Sequence, residues 1–140
     1  MTLYAALRLI HVVVAVLGTG SVAAIALVAG VTRTRPAALT ASPLPALARW
    51  ASVSLAVMLI TGAWIDIAMH RVYDHALWFR ASAIGLVLTG ATLGILRRQL
   101  GHAAHGRLAP ERVVARVTGL AVVASALVLA IVVLMDLRPT

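Results

Sequence analysis

A chain of 140 residues that is 62% hydrophobic, with a mean hydropathy of +1.03, is not a water-soluble domain, and its four long apolar runs leave no room for a second one. Its formal charge of +8 comes from twelve arginines against four acids; they sit mostly at run ends and in loops, which points to topology-setting charge beside an anionic membrane and away from nucleic acid. The absence of cysteine excludes disulfides, thiolate metal sites and haem attached through a Cys-x-x-Cys-His motif.

The first run, Leu9 to Val31, is entered through Arg8-Leu9-Ile10-His11. It matches the roughly 20 residues that cross a bilayer as a helix. A signal peptide has only about 7 to 15 apolar residues, so a retained span over residues 3–31 is expected. Arg8 and His11 share a helix face, which continues through Ala15, Gly18 or Thr19, Val22, Ala26 and Gly30. These are mostly small residues, and small residues let neighbouring backbones come close in lipid. His11 lies about two turns inside the span, where an ionisable group is costly and is expected to face the protein interior or a wet cavity, with a partner.

Three prolines between Pro36 and Pro45 mark a loop. The second span, over residues 47–69, carries Arg49 and Trp50 as interfacial anchors, Thr61-Gly62 inside it and Asp66 near its end. The connection His70-Arg71-Val72-Tyr73-Asp74-His75 is short and polar. A third span, over 76–96, opens with Trp78-Phe79-Arg80 and holds Gly90-x-x-x-Gly94, a spacing that favours close helix contact. Arg97 to Arg112 reads as the longest polar loop, and Pro110-Glu111 as the start of the last helix, whose span covers 113–137. The predicted fold is all-α: one integral membrane four-helix bundle of antiparallel, up-down spans. Arg33, Arg35, Arg49, Arg97, Arg98, Arg107, Arg112 and Arg116 then lie on one side, against Arg8, Arg71, Arg80 and Arg138 on the other. Positive charge marks the cytoplasmic side, so both termini are expected outside.

On that outer side fall Asp66, Asp74, Asp136, His11, His70 and His75, with Arg8 and Arg80. Each helix brings an ionisable group to a similar depth, which predicts pairs such as Arg80 with Asp66 and Arg8 with Asp136. His11 has three readings. It is a neutral imidazole bonded to a neighbouring Ser, Asp or carbonyl, or a haem axial ligand on the inner face of a bundle, or a transition-metal ligand. In the last case His70, His75, Asp66, Asp74 and Met69 are the candidate co-ligands. His102 and His105, in the opposite loop, read as solvated loop residues. Nothing matches a nucleophile with its base, a phosphate loop or paired catalytic carboxylates, so no catalytic residue is assigned.

Leu9-Ile10-His11, Thr61-Gly62, Trp78-Phe79-Arg80 and the ending from Arg116-Val117-Thr118 through Val132-Val133-Leu134-Met135-Asp136-Leu137-Arg138-Pro139 resemble the four-helix bacterial membrane proteins related to the copper-resistance D family and the HemJ-type protoporphyrinogen oxidases. The resemblance covers nearly the whole chain in pattern and implies a multi-pass protein of the bacterial inner membrane. HemJ-type proteins hold haem b between a first-helix His, matched by His11, and a third-helix Lys. Arg80 stands where that Lys would be, and a guanidinium stays protonated and does not ligate iron. The Asn-Glu-Pro after the family's fourth-helix Arg is replaced by Val117-Thr118-Gly119 after Arg116. What the resemblance implies is therefore the scaffold, with a haem or metal site altered in its second ligand.

Two functions follow as expectations. In one, the protein handles redox or cofactor chemistry: His11, with His70, binds haem b or a metal near the outer face, and Arg80 binds a propionate or an acidic partner. In the other, it is a non-catalytic accessory subunit in the lipid bilayer, whose small-residue helix faces pack on a larger membrane protein or a second copy.

Overall fold

The computed structural model describes residues 3–35, 42–71, 73, 75–107 and 109–137. They form α1 (Leu3–Thr32), α2 (Leu44–Ala68), α3 (Leu77–Ala104) and α4 (Pro110–Leu137). All four helices are long and apolar enough to cross a membrane. Among the described residues there is no strand.

The buried residues of α1 are Gly18, Val22, Ile25, Ala29 and Thr32. Their spacing alternates four and three, the 3.5-residue repeat of left-handed helix packing. The expected face ran on in steps of four to Ala26 and Gly30. Steps of four overshoot a turn of about 3.6 residues, so that stripe walks off the seam, and Gly30 ends up exposed with open space beside it.

Contacts are most extensive within the α1–α2 and α3–α4 pairs, while α1–α4 and α2–α3 close the ring more sparsely. His11 meets Thr61 and Gly18 meets Ser54, so α1 and α2 run in opposite directions. Close approach of α1 to α2 depends on Gly18, where an added Cβ would lie 3.2 Å from Ser54 Cβ, and Gly85 makes room for the Ile131 side chain, whose Cγ1 would lie 2.8 Å from an added Cβ. Gly90 and Gly94 are not used in this way. The α3 seam runs through Ser82, Gly85, Leu86, Thr89, Leu93, Leu96 and Leu100, and both glycines sit on its flank with open space beside them.

The expected polar loop from Arg97 is largely helix. Leu96 and Leu100 extend the buried seam, and Arg97, Arg98 and Gln99 favour helix, so α3 continues to Ala104. It ends at Gly106, whose φ of +65° is the left-handed turn that glycine adopts without strain. The Gly106 N–H donates to the Ala103 carbonyl and the Arg107 N–H to the His102 carbonyl, both at 3.0 Å, a Schellman closure. His102 therefore belongs to the last helical turn. His105 caps that turn, with its Nδ1 donating to the Gly101 carbonyl at 2.7 Å.

Packing is uneven along the bundle. Ile25, Leu44, Ala48, Leu93, Leu96, Val113 and Val117 are all fully buried at the arginine-rich end. Toward the other end the helices leave a partly open cavity between them instead.

Candidate functional site

The cavity has a volume of about 580 Å³, within the range of small-molecule and cofactor sites. All four helices contribute to it: Arg8 and His11 from α1, Met58, Gly62 and Asp66 from α2, Trp78, Phe79, Ser82 and Leu86 from α3, and Met135 from α4.

His11 is fixed by α2. Its Nδ1 lies 2.8 Å from Thr61 Oγ1, and that hydroxyl lies 2.8 Å from the carbonyl of Val57, one turn back. With the hydroxyl proton on Val57, the Thr61 oxygen accepts from His11 Nδ1–H. The neutral imidazole then carries its lone pair on Nε2, the arrangement by which an outer hydrogen bond orients a ligating histidine. Gly62 makes room for the ring, since an added Cβ there would lie 3.3 Å from His11 Cε1. The partner is thus a threonine, where the sequence suggested a serine, an aspartate or a carbonyl.

The turn after α2 forms the rim. His70 (φ 56°) and Arg71 (φ 59°) both take the left-handed conformation without being glycine, at a cost of about 1–2 kcal/mol each. The turn is held by Asp66. Its backbone carbonyl accepts the Arg71 N–H at 2.8 Å, and its Oδ1 accepts the Tyr73 N–H at 3.1 Å. Asp66 is buried, and its visible work is to pin this turn so that Arg71 and Tyr73 line the cavity. Tyr73, Trp78 and Phe79 form a connected aromatic wall, with ring centroids 5.6 to 6.4 Å apart, inside the range of favourable aromatic pairs.

Ser82 also lines the cavity. It is 1% exposed, and its hydroxyl has no hydrogen-bond partner among the described residues. A buried hydroxyl left unpaired costs free energy, and a bound polar group would remove that cost.

The candidate residues are not all brought together. His11 and Asp66 line the cavity with Arg8 and Arg71; His70 and Arg80 are exposed and are not among its lining. Asp136 borders a separate groove with Thr19 and Val132. His75 is exposed, and Asp74 lies outside the described residues. Among those described, no three of His, Asp and Glu gather as a metal cluster. The residues that sequence reasoning missed are Thr61 as the partner of His11, Arg71, Ser82 and the aromatic wall. The wall had a signal, because three of the six aromatic residues of the chain fall between Tyr73 and Phe79. Set against models of protein families, curated proteins and solved structures, the chain matches none of them.

Proposed function

We propose that this multi-pass membrane protein belongs to a bacterial inner membrane and binds haem b in the cavity, with His11 as the protein ligand to iron. The observation that carries the reading is His11 itself, tethered through Nδ1 to Thr61 in the wall of a large, mostly apolar cavity. The residues present suit the group. The walls are apolar and aromatic, Arg8 and Arg71 are available to propionates, and Ser82 offers an unpaired hydroxyl. Arg71 takes the role that sequence alone assigned to Arg80. Met58, Met135, Tyr4 and Tyr73 also line the cavity and are the other side chains there able to coordinate iron. Bound haem would supply one-electron chemistry; the chain's own residues would hold it, orient it and keep water from it.

Protein purified in mild detergent is expected to show a Soret band, or to gain one on titration with haem, and His11→Ala should abolish it. If no haem binds, a metal assay tests the other ligand for His11. If that is empty too and His11→Ala lowers only stability, the reading falls. The second reading, a cofactor-free accessory subunit, would then stand. It is favoured by Gly90 and Gly94, which leave open space on the flank of α3, where another helix has room to pack.

We further propose that the cavity opens toward the outside, from the arginine asymmetry. Cysteine introduced as His75→Cys should react with an impermeant thiol reagent in intact cells, and His105→Cys should react only after lysis. The reverse pattern would invert the orientation.

A further inference from the structure

At the opposite end of the bundle, two adjoining grooves of about 460 and 360 Å³ share Arg98, His102 and Arg107. Arg116 and Gln99 line the first, together with Ile95. Arg98 lies six residues before the end of α3 and Arg116 six residues after the start of α4. At about 1.5 Å per residue, each guanidinium is rooted roughly 9 Å from its helix end. Arg98 and Arg116 on neighbouring helices, with Arg107 from the loop, are all exposed and gather three like charges around these grooves, a concentration of positive charge that attracts an anion. The chain does not supply one, because none of the groove's lining residues is acidic. The one acid in this end of the sequence, Glu111, is exposed on the first turn of α4.

We propose that this groove binds a phosphate group, and that its source is the headgroup of an anionic glycerophospholipid. Arg98 and Arg116 flank the phosphate, Arg107 closes over it, and Ile95 marks the apolar side on which the acyl chains continue into the bilayer. Guanidinium is suited to the task, since its planar set of donors meets phosphate oxygens two at a time. The lipid is favoured over a free ion because the groove combines three arginines with an apolar residue at the boundary of the spanning segments, the setting in which basic pockets between helices hold lipid headgroups. The site is independent of the outer cavity and of whatever binds there.

The full-length protein, delipidated in detergent, is to be titrated with phosphatidylglycerol and followed by native mass spectrometry. Wild type is expected to retain phosphatidylglycerol in preference to phosphatidylcholine. Arg98→Gln/Arg116→Gln should bind it about thirtyfold more weakly, the combined weight of two arginines at a membrane surface. Arg33→Gln/Arg35→Gln, which removes equal charge at the same end but outside the groove, should bind as wild type. Helicity and elution profile verify that each variant is folded. If the double variant in the helices does not fold, Arg107→Gln in the loop is used instead, with the same direction of effect. Equal losses in the groove and control variants, or no loss in either, would overturn the proposal. Displacement of the lipid by millimolar inorganic phosphate would overturn the lipid as its source.

Discussion

Gly18→Leu is expected to be among the most damaging single changes in the bundle, costing about 3 kcal/mol, the upper part of the range for overpacking a tight contact. A Cβ at Gly18 already comes within 3.2 Å of Ser54 Cβ, with the backbone of α2 behind it at 3.9 to 4.0 Å. A leucine therefore has no route past α2 except by pushing the two helices apart. That separation strips contacts from Val22 and Leu55, both buried, and in lipid such contacts are the main source of helix association. The effect is to be read as a shift in unfolding of the bundle in bicelles on titration with SDS. Gly20→Leu is the control: it stands on the same helix with open space beside it and should change stability by less than about 0.5 kcal/mol. Equal losses from the two would mean that leucine disturbs α1 for reasons unconnected with the approach to α2.

The second large effect is a coupling across α3 and α4. Gly85→Ala should cost about 1–3 kcal/mol, because its new Cβ would meet Ile131 Cγ1 at 2.8 Å and Cδ1 at 3.0 Å. Ile131→Ala alone should cost about 2 kcal/mol or more, since the isoleucine is buried and its removal leaves a cavity. Combined, the two substitutions should cost clearly less than their sum, with a coupling of about 0.5–3 kcal/mol, because the alanine side chain partly fills the space that Ile131 leaves. Strict additivity in the same unfolding assay would show that residues 85 and 131 do not meet.

The number of spanning helices was legible because each apolar run is long and its flanks are marked by arginine or proline. Which glycines matter was not. Gly90-x-x-x-Gly94 has the recognisable spacing and lies off the seam, whereas Gly18 and Gly85 have no motif and sit on it. The phase of the α3 seam comes from neighbouring helices, which the sequence of α3 does not contain. The end of α3 was misread because Arg97-Arg98-Gln99 looks like a loop to hydropathy, although Leu96 and Leu100 continue the seam. The inward placement of His11 could be inferred from the cost of an ionisable group in hydrocarbon. Its partner could not, because Thr61 is fifty residues away and threonines occur at several depths. Asp66 was singled out as an ionisable group inside a span, but its hydrogen bond to the turn was hidden. Only the left-handed geometry at His70 and Arg71 brings the Tyr73 N–H back to its carboxylate.

The division of the bundle into two closely packed helix pairs has a consequence for biosynthesis. The hydrogen bond of His11 to Thr61 needs only α1 and α2, whereas the Trp78, Phe79, Ser82 and Leu86 wall of the cavity comes with α3. The chamber comes into being only when the second hairpin docks against the first. Because Met135 of α4 also lines it, the cavity is complete only once both helices of the second pair have been made.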